Sequence, residues 1–264
     1  MITRASVLRV LAPALLGVLA LAGWEYAVRA NGVPSFILPG PLEIGRTLWR
    51  DWPSLAVSLG ITLQITFAAL LVAAVAGVLL AVLFAQSRIV EVSLFPYAVV
   101  LQVTPIVAIA PLILIWVEDI RLALLIMAWI VAFFPILSNT TLGLNSAGHD
   151  LHDLFRLYGA NRWQVLARLR LPAAMPYFLA GLRISGGLAL IGAIVAEFVA
   201  GTGGRASGLA YRILEAGYQL QIPRMFAALV LVSATGIAIY LALSWLSHLL
   251  LRSWHESALD RESR

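Results

Sequence analysis

The chain has 264 residues, 61% of them hydrophobic and 12% charged, with a formal net charge of +5. That is more apolar surface than one soluble domain can hide, which argues against a soluble enzyme and makes lipid part of its solvent. All 18 basic side chains are arginine and there is no cysteine, which removes Schiff-base lysine chemistry, a G-x-x-x-x-G-K-[ST] phosphate loop, a disulfide framework and thiolate metal sites.

In chain order, the apolar runs predict an all-α, polytopic membrane helix bundle of about six transmembrane helices. The first run, Val7 to Val28, follows Arg4 and Arg9, so residues 1–30 read as a membrane span. A cleaved leader ending at Ala20-Leu21-Ala22 is the rival, but the apolar stretch runs past that box. Residues 31–53 carry Gly32, Pro34, Pro39, Gly40, Pro41 and Pro53, the composition of turns around one short amphipathic helix near Leu42 to Trp49. Five more spans follow at Ser54–Ala85, Val92–Val117, Leu122–Leu144, Tyr177–Ala200 and Met225–Leu251. Residues 54–254 therefore form a transmembrane domain interrupted by an ordered loop at 145–176, and residues 255–264 form a tail. Pro96, Pro105 and Pro111 fall in the third span and Pro135 in the fourth, where a bundle can absorb kinks if hydroxyls and neighbours serve the freed carbonyls. Gly201, Gly203, Gly204 and Gly208 read as a flexible loop, because they lack the lysine of a nucleotide site.

Arginine placement predicts the orientation. With the N-terminus inside, the cytoplasmic segments hold Arg4, Arg9, Arg88, Arg156, Arg162, Arg168, Arg170, Arg252, Arg261 and Arg264. The outer segments, 31–53 among them, hold arginines partly balanced by Glu43, Asp51, Glu118, Asp119 and Glu215. Both termini are expected in the cytoplasm. The basic charge is dispersed among apolar spans, so it points to a bilayer and not to nucleic acid.

Residues 145–176 read as helix, turn, helix. Asp150 to Tyr158 makes a short helix with acids near its start. Gly159 supplies a left-handed residue that ends it. Asn161 caps a second helix that stops near Pro172, with Asn161, Gln164 and Arg168 on one face and Trp163, Leu166 and Ala167 on the other.

Here a family resemblance becomes specific. Asp153-Leu154-Phe155, three residues, Gly159, nine residues, then Leu169-Arg170-Leu171-Pro172 resembles the cytoplasmic "EAA" motif of ABC-importer permeases, E-A-A, three residues, G, nine residues, I-x-L-P. The glycine-to-proline spacing matches fully; Leu154 and Phe155 replace two alanines. Leu38-Pro39-Gly40-Pro41, Thr104-Pro105, Ala110-Pro111-Leu112, Phe133 to Asn139, Ala180-Gly181-Leu182-Arg183 and Ala196-Glu197 are similar to landmarks of permeases for aliphatic sulfonates, taurine, nitrate, thiamine pyrimidines or riboflavin. The resemblance implies a multi-pass protein of the bacterial inner membrane that forms the translocation pathway for a small organic or anionic nutrient. It also implies partners: a cytoplasmic ABC ATPase dimer that uses the ATP and Mg, a second permease copy in a homodimer, and a substrate-binding protein on the periplasmic side. The chain itself is expected to bind no cofactor. The coupling role is carried to Asp153, Gly159, Ala160, Asn161, Arg162, Trp163, Leu169, Leu171 and Pro172.

Polar positions within or near the spans, Gln64, Gln102, Thr104, Asn139, Ser185 and Glu197, are candidates for the pathway, against the plainer alternatives of interhelical bonding or, for Glu197, a solvated helix end. His149, His152, His248 and His255 form no metal-ligand pattern. The loop could also simply lie among headgroups, a secondary transporter would need ion-coupling acids, and a membrane enzyme would need a nucleophile with its base.

Overall fold

The structure, a computed structural model, describes residues 4–201 and 207–252. Gly203, Gly204, Arg205, His255 and the tail 255–264 lie outside the described residues. The described residues form eleven α-helices: α1 (Arg4–Ala30), α2 (Pro41–Arg50), α3 (Trp52–Gln86), α4 (Arg88–Val103), α5 (Ile106–Trp116), α6 (Ile120–Leu144), α7 (His149–Leu157), α8 (Arg162–Val165), α9 (Leu171–Ala200), α10 (Leu209–Tyr218) and α11 (Ile222–Leu251). A π turn, Leu166–Arg170, joins α8 to α9 without a break in the helical run. Five runs are long and apolar enough to cross a bilayer, and α4 with α5 makes a sixth if the pair is one span.

Val92 to Val117, expected as one span with proline kinks, is a pair of helices bent by 101° at Thr104-Pro105. Pro105 has no N–H to continue the ladder and forces the preceding residue out of the helical region. Thr104 is extended (φ −70°, ψ 121°), and its hydroxyl and amide both donate to the Val100 carbonyl, at 2.7 and 3.1 Å. Pro135 has the opposite outcome and stays inside an unbroken α6. There the Asn139 side chain donates to the Pro135 carbonyl (2.8 Å), and the helix is packed on both sides.

The core is α6 held between α3 and α9. With no water to expel, helices in lipid associate through close backbone approach, which small residues permit. A Cβ at Gly143 would stand 2.8 Å from the Ala174 Cα, one at Gly181 2.7 Å from the Pro135 carbonyl oxygen, and one at Gly192 2.9 Å from the Ala128 Cα. These contacts run in opposite chain directions, so α6 and α9 are antiparallel. Ser185 sits in the same seam and donates to the Ala132 carbonyl (2.6 Å). Gly181→Leu is therefore expected to push two backbones apart, at about 1–3 kcal/mol or more for overpacking. The expected result is a severalfold loss of full-length protein from membranes by immunoblot, and normal abundance would contradict the seam.

Helix α1 meets the rest mainly at one end, where Trp24 packs on Phe226 and Glu25 accepts from the Leu42 amide (3.1 Å) at the start of α2. Helix α2 spans Pro41–Arg50, where an amphipathic helix was expected. Helix α10 was not expected between the last two spans, yet Leu209, Ala210, Ile213 and Ala216 are buried on one face at helical spacing.

Candidate functional site

The predicted coupling residues gather at one end of the bundle, and Glu197 lies at the other. At one end, α7 and α8 form an elbow. Helix α7 ends when Gly159, at φ +66°, turns the chain left-handed. The Gly159 amide then bonds the Arg156 carbonyl and the Ala160 amide bonds the Phe155 carbonyl, both at 3.0 Å, the paired bonds of a Schellman cap. Two residues later, Asn161 starts α8 with a reciprocal capping box. Its Oδ1 accepts from the Gln164 amide (2.9 Å), and its own amide donates to Gln164 Oε1 (2.8 Å).

Beyond this turn the structure differs from the sequence reading. The second helix does not stop near Pro172 but continues into α9, so the helical run extends from Arg162 to Ala200. The π turn explains it: the Leu171 amide reaches back five residues to the Leu166 carbonyl, so the ladder is already shifted where Pro172 lacks its donor. Leu166 and Leu169 are buried, whereas Trp163 and Ala167, which the sequence set on one face with Leu166, are exposed.

The predicted coupling residues thus divide into tip and root. Asp153, Gly159, Asn161, Arg162 and Trp163 are exposed at the tip, with Ala160 half-buried. Leu169, Leu171 and Pro172 form the root where the elbow joins the bundle. Leu157 and Tyr158, each 84% exposed, and Trp163, 64% exposed, give the tip three large unpartnered side chains. Arg170, the unspecified position in the Leu-x-Leu-Pro match, is a residue that sequence reasoning passed over. Its Nη1 donates to the Ala85 carbonyl (2.6 Å), tying the root of α9 to the C-terminal end of α3, where orphan carbonyls and the helix dipole favour a cation. Burial, with the nearby Arg170 and His149 charges, holds His152 below the usual imidazole range.

At the other end, Glu197 is not a solvated helix end. It is 2% exposed and accepts from the Thr62 hydroxyl (2.8 Å) and the Ala210 amide (3.0 Å), while Thr62 accepts from the Leu209 amide (2.9 Å). A carboxylate from α9 and a hydroxyl from α3 thereby serve the free N–H groups at the start of α10. Gly208 is required beside them, because a Cβ there would collide with the Glu197 carboxylate. Arg212 Nε donates to Ser58 Oγ (3.1 Å), a second tie between α10 and α3. The remaining pathway candidates do not converge on Glu197. Ser185 lies in the α6–α9 seam, Asn139 bonds within α6, Thr104 marks the α4–α5 break, and Gln64 and Gln102 are exposed on α3 and α4.

The arrangement holds no constellation of three or more metal-ligating side chains among the described residues. Its features are a doubly capped elbow continuous with a long helix, and a buried clasp at the far end. Residues 73–255 match the family model described as "Binding-protein-dependent transport system inner membrane component". The chain is 33% identical to the formylaminopyrimidine transport permease protein ThiX of Halalkalibacterium halodurans over 91% of its length and 95% of that protein's. It is also 33% identical to the riboflavin transport system permease protein RibX of Chloroflexus aurantiacus, over 90% and 88% of the two lengths. A solved amino acid ABC transporter chain shares the fold with a TM-score of 0.61 at 19% identity, covering 77% of this chain and 95% of that one. The chain belongs to the family of inner-membrane components of binding-protein-dependent transport systems, the membrane-embedded and non-enzymatic subunits of ABC importers.

Proposed function

We propose that the elbow tip, Asp153 to Trp163, seats in a groove of a cytoplasmic ABC ATPase and transmits the closing of that ATPase to the bundle. One observation carries the reading: Leu157, Tyr158 and Trp163 are exposed on a capped, inflexible elbow that is covalently continuous with a membrane span. Exposed aromatic side chains held on rigid helices make effective docking anchors. A loop lying among headgroups has no need of two interlocking caps or of the Arg170 tie to α3.

In this reading two copies of the chain form a symmetric pore with the substrate route between them. ATP with Mg binds the partner ATPase and draws the two elbows together, and each elbow moves its own α9 and, through Arg170, the end of α3. The halves then alternate between inward-open and outward-open states. The elbow lies in the cytoplasm, as the arginines near it and the resemblance both favour, and both termini share that side. A binding protein delivers the substrate to the opposite end, where α2 and α10 lie. The relatives' names differ in substrate, and small organic or anionic nutrients form the class they suggest.

The test is reconstitution of the chain in nanodiscs with its cognate ATPase and binding protein. Alone, the chain is expected to hydrolyse no ATP. The complex is expected to hydrolyse ATP faster when loaded binding protein is added. Turnover by the chain alone, abolished by mutation within it, would overturn the reading; so would reporter fusions that place the elbow outside.

A further inference from the structure

We propose that the cleft between α9 and α11, at the elbow end of the bundle, is a binding site for an oxyanion held by Arg183. This goes beyond the coupling reading and does not depend on the elbow docking. The cleft has a volume of about 880 Å³, and its lining includes Arg183, Tyr177, Tyr240, Ser244, Ser247 and His248. That size suits a small molecule or a headgroup.

Arg183 lies well inside α9, roughly 18 Å along the axis from Leu171 at 1.5 Å per residue. A cation at that depth is costly unless water or a counter-charge reaches it. Among the described residues it makes no ion pair and no hydrogen bond; its contact is with the Tyr240 ring, whose centroid is 5.9 Å from the guanidinium carbon. An aromatic contact of this kind satisfies the cation in part and leaves N–H groups of the fork available to a planar or tetrahedral oxyanion. Tyr240, Ser244, Ser247 and His248 recur at helical spacing on α11, so one polar stripe leads from the cleft mouth toward Arg183. Ser244 Oγ is buried and has no partner, a donor awaiting an acceptor. No acid lines the cleft, so no counter-charge there favours a cationic ligand over an anionic one.

The shared chemistry, a negatively charged oxygen group, could be a free sulfonate, carboxylate or phosphate entering from water, or a phosphodiester headgroup entering from lipid. The cysteine-free chain allows both to be tested in its full-length form. Ser247→Cys is placed in nanodiscs of neutral phosphatidylcholine and labelled with sulfonate-bearing or trimethylammonium-bearing methanethiosulfonate. The anionic reagent is expected to react faster, and Arg183→Gln should lower the anionic-to-cationic rate ratio by about tenfold, the effect of removing one nearby charge at intermediate dielectric. Methanesulfonate should slow labelling of Ser247→Cys but not of the Arg183→Gln double variant, which identifies a free oxyanion. Slowing confined to nanodiscs containing phosphatidylglycerol identifies a headgroup. Arg183→Lys should keep the charge ratio but weaken protection, since it lacks the fork. If Arg183→Gln fails to reach the membrane, the protection measurements on Arg183 and Arg183→Lys still decide. An unchanged rate ratio in Arg183→Gln, or no protection by either methanesulfonate or phosphatidylglycerol, overturns the site.

Discussion

Glu197→Ala is expected to abolish uptake and release α10 from the bundle while leaving the spans inserted. The substitution removes the acceptor for two buried donors, the Thr62 hydroxyl and the Ala210 amide. Each buried donor left without a partner costs about 1–3 kcal/mol. Helix α10 has ten residues, too few to persist without tertiary support, so the loss falls on its docking and not on the long apolar helices. The measurement uses the absence of native cysteine: Ile213→Cys, at a position buried against the bundle, is labelled with a membrane-impermeant maleimide. Labelling should accelerate by about tenfold or more in the Glu197→Ala background, as 1.4 kcal/mol per factor of ten implies. Glu197→Gln keeps one acceptor oxygen and should fall between the two. Unchanged labelling and uptake in Glu197→Ala would show that the clasp does not hold α10.

The contrast between the two ends of the bundle explains what the sequence made legible. The Gly159 turn and the Asn161 cap are built from bonds between residues at most five apart, so local pattern was enough to find them. The apolar spans were equally plain, because a lipid-facing helix has no amphipathic pattern to misread. Glu197 is different. Its partners are Thr62, 135 residues away, and Ala210, 13 residues away, and no spacing rule joins them. Helix α10 was hidden for the same reason, since its short buried face makes sense only against α3, α9 and α11. Pro105 and Pro135 carried the same signal and had opposite outcomes. The first ends a helix that is largely exposed, whereas the second lies in the most enclosed helix of the bundle, where packing on both sides holds the backbone straight. A single proline cannot announce which of these it will meet. The π turn before Pro172 was likewise invisible, because a one-residue shift in the ladder leaves no mark on composition.

Gly159→Val is expected to cut uptake by about tenfold while membrane abundance stays within about twofold of normal. The glycine sits at φ +66° with no atom within 4 Å of the place a Cβ would take, so the substitution meets no clash and its cost is conformational. A left-handed residue costs a non-glycine side chain about 1–2 kcal/mol, and a β-branched one resists it most. That strain is small against the stability of the bundle but large for a one-residue joint. Relaxing the joint breaks the paired bonds from Gly159 and Ala160 to the Arg156 and Phe155 carbonyls, and changes the angle between α7 and α8. Arg162 and Trp163 would then be misaimed, and an elbow that no longer fits its partner cannot carry the closing motion. Gly159→Asn supplies the control, since asparagine tolerates the left-handed region and should recover most of the uptake. The readouts are membrane abundance, co-purification of the ATPase and substrate uptake, measured together. Retention of all three at wild-type levels in Gly159→Val would mean that the elbow angle does not matter to transport, and a collapse of abundance would mean that the joint serves folding and not coupling.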